Sequence, residues 1–284
     1  MNAVAPVRPV PRVLSIAGTD PTGGAGIQAD LKSIAANGGY GMAVVTALVA
    51  QNTCGVRSIH QPPVEFLTEQ LDAVSDDVEI DAVKIGMLFS REVIDTVAAW
   101  LDRVRPPIVV LDPVMIAASG DRLLTPDAEE ALRRFADSAD LLTPNLPELA
   151  VLLGATEAST WDEAVAQGRR LAASCGARVL VKGGHLDGAD VPDALVAPDG
   201  EVVGYTAPRV STTNVHGTGC SLSSAVATIV ARTGDWAASV GEAKEWLTAA
   251  LRGADRLQVG EGSGPVSHFS VLWQAAVDQT SSSS

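Results

Sequence analysis

Positive charge is what this chain has least of. Lysine and arginine together number 20 against 34 aspartates and glutamates, a formal net charge of -14. Nucleic acids and anionic membranes are gripped through clustered Lys and Arg, so both partner classes are disfavoured. A small anionic ligand is not excluded, because it responds to the local field of a few residues. Cysteine is scarce too. Cys54, Cys175 and Cys220 lack the paired spacing of a zinc site or a disulfide framework. No apolar run approaches the roughly 18 residues that cross a membrane. The N-terminal MNAVAPVRPVPR is Pro-rich and holds no unbroken apolar core, so it reads as a loose tail, not a signal peptide. A soluble cytoplasmic protein is expected.

What is plentiful is apolar side chain, 46% of the 284 residues, with 19% charged, enough for a substantial core. The length suits one large α/β domain or two ordinary ones. Short β-branched runs alternate with longer helical patterns. VLSIAG (13–18), MAVVTALVA (42–50), IDAVKIGML (80–88), PIVVLDPV (107–114), ADLLTPN (139–145) and ARVLVKGG (177–184) read as strands. Helical patterns lie between them, from GIQADLKSIAANGG (26–39) onward. Continuous apolar strands between helices predict a mostly parallel sheet covered on both faces, a three-layer αβα sandwich. Only DALVAPDGEVVGYTAP (193–208) breaks the rhythm, as a hairpin turning at Pro198-Asp199-Gly200. Two helices, about 218–232 and 236–254, close the pattern. There is no internal repeat and no linker, so the expectation is one domain over 12–272, with loose tails at 1–11 and 273–284.

In an open parallel sheet, ligands collect outside the carboxyl ends of the strands. The unusual residues fall there. Gly18, Thr19 and Asp20 with TGGAGIQAD follow the first strand and QNT (51–53) the second. Gly86-Met87 and Asp112-Pro113 follow the next two, then TPNLPE (143–148) and KGGH (182–185); HGTGC (216–220) opens a late helix. Each also has a plainer reading. The first loop lacks a clean G-x-G-x-x-G and the P-loop pattern, so it supports neither a dinucleotide nor a Walker site. Asp112 before proline also fits a turn former, and Asn145 with Glu148 also fits a helix cap. Lys182 is harder to explain that way, since it ends a buried strand beside two glycines where ligands bind. Cys54 and Cys175 are expected as packing residues. His185 and His216 stay open, and His60 and His268 have no supporting context.

HGTGC poses the sharpest question, because it sets a thiol beside a turn built for an anion. Backbone N–H groups of Gly217, Thr218, Gly219 and Cys220 at a helix N-terminus can cradle negative charge. The same helix end lowers a thiol's pKa, so Cys220 is expected to titrate near the working pH.

The order of IAGTDPTGGAGIQADLK (16–32), TALVAQNT (46–53), VKIGML (83–88), LDPVM (111–115), LTPNLPE (142–148), VKGGHL (181–186) and HGTGCSLSSA (216–225) resembles the hydroxymethylpyrimidine/phosphomethylpyrimidine kinases of thiamine biosynthesis. These lie within the ribokinase-like superfamily. The likeness spans about 12–255, departing slightly at Thr19 and PTGG. It implies ATP-dependent phosphorylation of 4-amino-5-hydroxymethyl-2-methylpyrimidine and of its monophosphate. It implies pyrimidine contacts from Gly18, Ala25, Asp30, Val49, Gln51 and Met87. It implies nucleotide contacts from Asn145, Lys182, Thr218 and Gly219, and Mg²⁺ served by Glu148 with Asp112. Gly217, Thr218, Gly219, Cys220 and Lys182 form the implied catalytic set, with Cys220 taking the hydroxymethyl proton where most of the superfamily is expected to have Asp. A homodimer is implied as well. Two other functions stay open. One is a pyridoxal or pyridoxine kinase, whose substrate is also a flat hydroxymethyl heterocycle; the other is a catalytically silent pyrimidine-binding protein.

Overall fold

The computed structural model describes residues 8–116, 123–125 and 127–274. The expected tails fall largely on 1–7 and 275–284, outside those residues; Arg8, inside them, pairs with Asp81 at 3.1 Å. The first half of the chain runs β1 (Arg12–Ala17), α1 (Gly26–Ala36), β2 (Tyr40–Val45), β3 (Leu48–Asn52), β4 (Gly55–His60), α2 (Val64–Ser75), β5 (Ala82–Ile85), α3 (Arg91–Val104) and β6 (Val109–Leu111). The second half runs α4 (Ala128–Phe135), β7 (Leu141–Leu142), α5 (Leu146–Leu153), α6 (Trp161–Cys175), β8 (Arg178–Lys182), β9 (Asp190–Val196), β10 (Val202–Pro208), α7 (Thr218–Thr233) and α8 (Trp236–Arg252).

Eight strands form one sheet in the order β10-β9-β8-β7-β6-β5-β1-β2. Pairings from β2 to β8 are parallel, and β9 and β10 are antiparallel. Alternation along each strand separates two cores. On β1, Leu14 and Ile16 pack with side chains of α2, α3, α4, α5 and α6. Val13 faces the other way, onto α1, α7 and α8. That is the expected three-layer sandwich.

Helix α7 is the central helix of its layer, with every residue from Ser221 to Ala231 buried. Serine and alanine at 221, 223–225 and 227 let it lie close to the sheet, and two of the buried hydroxyls find partners within the helix. Ser223 Oγ donates to Gly219 O at 2.9 Å and Thr228 Oγ1 to Ser224 O at 2.8 Å.

One reading of the sequence needs correction. The run 42–50 is not a single strand; it breaks at Thr46-Ala47. Thr46 N donates to Ala17 O at 3.0 Å and Thr46 Oγ1 to Met87 O at 2.7 Å, which turns the chain out of the main sheet. The remainder becomes β3, which pairs antiparallel with β4 in a separate two-stranded sheet above the strand ends.

Candidate active site

The chain order reverses at β1, which has β2 on one side and β5 on the other. A crevice opens at such a switch point, outside the carboxyl ends of the strands. Here it is a cleft of about 560 Å³. Gly18 follows β1 and Met87 follows β5. A Cβ on Gly18 would lie 2.9 Å from Met87 Cε, so the glycine lets the thioether cover the crevice floor. The β3–β4 hairpin supplies the roof. Val49 N donates to Thr19 Oγ1 at 3.0 Å, and a register shift between Ala50 and Gln51 re-aims the strand where Gln51 enters the cleft.

The loop before α1 is wound around one carboxylate. Asp20 Oδ1 accepts from Thr22 N at 2.9 Å and Thr22 Oγ1 at 2.7 Å; Oδ2 accepts from Gly24 N at 3.0 Å and Ala25 N at 2.8 Å. His216 Nε2 lies 2.8 Å from Oδ2, joining this loop to the turn before α7. Burial pushes the Asp20 carboxyl up, but the bonds from His216 and Thr22 outweigh it and hold it well below the usual carboxylate range.

That turn ends in Gly217, whose φ of +77° and whose closeness to Gly24 both demand glycine; a Cβ there would sit 1.8 Å from Gly24 O. Gly217 caps α7 with no side-chain hydrogen bond, and the first turn carries no acidic residue. Residues 217–220 thus bring the start of a 16-residue helix to the cleft, an arrangement suited to an anion, with Thr218 N donating to Val215 O at 3.3 Å. A Cβ on Gly219 would lie 3.4 Å from both Asp112 Oδ2 and Lys182 Nζ, so backbone, carboxylate and ammonium crowd together here.

Asp112, at the end of β6, is nearly fully buried and accepts from Thr143 Oγ1 at 3.0 Å. Lys182 Nζ lies 3.5 Å from Asp112 Oδ1. Burial would lower the lysine's pKa, yet Asp112 and Glu148 raise it overall, so the ammonium stays charged. Asn145 and Glu148 do form a capping box, each side chain bonding the other's backbone N–H at 2.9 Å. The plain reading thus holds as geometry, and Glu148 also lines the cleft. Its carboxyl is pushed up to about 7 by burial, against the pull of Lys182 and with Asp112 adding to the rise. Among the described residues, no cluster of three or more His, Cys, Asp or Glu forms a metal cage.

Of the residues singled out from sequence, Gly18, Ala25, Val49, Gln51, Met87, Asp112, Asn145, Glu148, Lys182 and 217–220 all line this cleft. Asp30 does not. It is fully buried on α1, where Lys84 Nζ donates to Oδ1 at 2.8 Å, Ser224 Oγ to Oδ1 at 2.8 Å and Ser15 Oγ to Oδ2 at 2.6 Å. Beneath the first turns of α7 it forms a sealed ion pair with Lys84.

Cys220 brings a second correction. Its thiol is pushed up to about 11, not down. Burial is the largest cause; Lys84 opposes it, while Asp30 and Asp112 add to it. The helix N-terminus does not overcome desolvation next to two carboxylates. Cys54, expected in packing, is exposed at the hairpin turn, whereas Cys175 is partly buried and bonds Leu171 O.

Sequence reasoning missed Lys84 and His268, and named Asp20 without giving it a role. Lys84 is fully buried in the sheet interior; its signal was a lone charge inside AVKIG. Asp20 carried no signal beyond its place after a strand. His268 is buried and shares a 2.9 Å hydrogen bond with Ser221, from a segment that offered no pattern.

A family profile described as phosphomethylpyrimidine kinase matches residues 20–267. The chain is 58% identical over 262 residues to a thiamine biosynthesis multifunctional protein of Corynebacterium efficiens, covering 92% of this chain and 35% of that one. It thus spans about a third of that relative's length. To the hydroxymethylpyrimidine/phosphomethylpyrimidine kinase of Salmonella typhimurium it is 54% identical over 261 residues, covering 92% of this chain and 98% of the other. The crystal structure of an ADP complex of Bacillus subtilis pyridoxal kinase matches with a TM-score of 0.85 at 30% identity, covering 92% of this chain and 98% of that one.

Proposed function

The chain belongs to the phosphomethylpyrimidine kinase family, and we propose that it transfers the γ-phosphoryl group of ATP to 4-amino-5-hydroxymethyl-2-methylpyrimidine, and a second one to the resulting monophosphate. One observation carries this reading. A single cleft joins an apolar slot holding one carboxamide to an uncapped helix N-terminus beside a half-buried lysine. The slot suits a flat heterocycle and the helix end suits a phosphoryl group.

In this reading Val49 and Met87 cover the faces of the ring, and Gly18 and Ala25 leave room for it. Gln51 offers a donor and an acceptor to the ring nitrogen and its neighbouring amino group. The amides of 217–220 hold the transferring phosphoryl group, and Lys182 offsets the charge that spreads over it. Asn145, Thr218 and Gly219 complete the nucleotide side. Asp112 and Glu148 form an oxygen-only pair that fits Mg²⁺, and a buried carboxyl near 7 is one that a cation would readily ionise. They would hold the ion, which when bound supplies positive charge against the triphosphate.

Cys220 is the group placed to take the hydroxymethyl proton. In the free cleft it is a thiol, raised first by burial and then by Asp30 and Asp112; a cation held at Asp112 would offset one of those carboxylates. Lys84 and the helix end then favour the thiolate. The enzyme is proposed to act in the cytoplasm as a homodimer, on the family resemblance; among the described residues no helix is long and apolar enough to cross a membrane. The likeness to a pyridoxal kinase structure gives a second reading, phosphorylation of pyridoxal. ADP release measured with the aminopyrimidine, with pyridoxal and with neither separates them. The rate should be highest with the aminopyrimidine. Turnover with pyridoxal alone would support the second reading, and none with either would support a silent binding protein.

A further inference from the structure

The β3–β4 hairpin and the turn before α7 come from distant parts of the chain. They are joined by the segment after α8. Gly262 N donates to Thr53 Oγ1 at 3.1 Å and Ser263 N donates to Thr53 O at 3.1 Å, which fastens the segment to the hairpin tip. Two residues on, the same segment fastens to the other loop. Gly264 N donates to Asn214 Oδ1 at 2.9 Å, Ser263 Oγ donates to Thr213 O at 3.0 Å and His216 N donates to Gly264 O at 3.0 Å. Pro265 then pairs with His216 in an isolated bridge.

The approach at the hairpin end is as close as a backbone permits. A Cβ on Gly260 would fall 2.2 Å from Thr53 Oγ1, and one on Gly262 would fall 2.1 Å from Thr53 O. Glycines here are spacers that bring two backbones together. At its far end the segment reaches under α7, where His268 meets Ser221, the residue after Cys220.

We propose that residues 259–268 form a strap that positions the two halves of the cleft, with Thr53 as its positioning residue, so that heterocycle and nucleotide bind cooperatively. Thr53 stands two residues from Gln51 on the hairpin, and His216 stands one residue before the anion-holding turn. Ordering either loop on its ligand therefore orders the strap, and the second ligand meets a loop already fixed. The proposal rests on the kinase reading of the cleft.

The test is calorimetric titration of the aminopyrimidine, with and without a saturating non-hydrolysable ATP analogue. In the native protein the analogue should tighten pyrimidine binding by about 5-fold or more, within the usual span of such couplings, and the converse titration should give the same factor. Thr53→Val keeps shape and β-branching but removes the hydroxyl that accepts from Gly262. It should bring the coupling close to one while each ligand alone binds within about three-fold of native, because neither contact is lost; the range follows from coupling being separable from affinity. Thr53→Ser should restore the coupling, and Ser263→Ala, at a partly exposed site, should weaken it by the other attachment. Equal coupling in native, Thr53→Val and Ser263→Ala proteins would overturn the strap, as would a native protein without coupling. A native protein that binds neither ligand would overturn the kinase reading itself.

Discussion

Residue by residue, the site separates groups that touch ligand from groups that hold those groups still. In the proposed reading Gln51 belongs to the first kind. Gln51→Leu should leave the amino edge of the pyrimidine unpaired and cost about 10- to 100-fold in kcat/KM, roughly 1–3 kcal/mol. Pyridoxal lacks that amino group, so its turnover should fall less; equal losses would mean that Gln51 only shapes the slot. Cys220 is open to a direct check in the ligand-free protein. With its thiol near 11, only a small thiolate fraction exists at neutral pH. Iodoacetamide should therefore alkylate it slowly at pH 7, and the rate should climb with pH toward 11 without an earlier plateau. A plateau near 7 would show that the helix end and Lys84 outweigh burial. Sequence alone placed the thiol correctly but reversed the direction of its shift. Helix position can be read from a motif. The burial of that position, and the opposing charges of Lys84 and of Asp30 and Asp112 around it, cannot, since these residues converge from three different elements.

Among the elements, the strands of the main sheet and α7 were legible because continuous apolar runs and a glycine before an apolar helix leave few alternatives. The hairpin of β9 and β10 was legible from PDG between two alternating runs. The break between β2 and β3 was not, since MAVVTALVA is uniformly apolar. What ends β2 is a hydrogen bond from Thr46 to Met87 O across to the next strand end, a contact of high sequence separation. For the same reason β4 passed unnoticed: its partner had been assigned to another strand. The turn before α7 carries the element-scale prediction. Gly217→Ala must place a Cβ both in the left-handed region and against Gly24 O. The backbone conformation alone costs about 1–3 kcal/mol, and the clash adds to it. Thermal unfolding should show that loss or more, with activity falling further, because the amides of 218–220 would turn away. A variant as stable and active as native would show that the turn is free to move.

For the whole molecule, most of the charge lies outside the cleft, and the lysines drawn inward are paired: Lys84 with Asp30, Lys244 with Asp193, Lys182 with Asp112. His268 is different. It is buried and pushed down to about 4 by desolvation, with Lys32 adding to the effect. The unfolded chain takes up a proton near 6.5 and the folded one resists until about 4, so stability is fully present above 6.5 and declines as pH falls toward 4. The size is at most about 3 kcal/mol. Denaturant midpoints measured across that window should fall for native protein and fall less for His268→Gln. Identical pH dependence would show that His268 is solvated or protonated in the fold. The account's central claim is that this cleft moves a phosphoryl group from ATP to an aminopyrimidine. Mass spectrometry of the pyrimidine after incubation with the purified full chain, ATP and Mg²⁺ tests that most directly. The product should be heavier by one phosphoryl group and then by two, matched by ADP formed; unmodified pyrimidine, with ATP intact or hydrolysed to free phosphate, would contradict it.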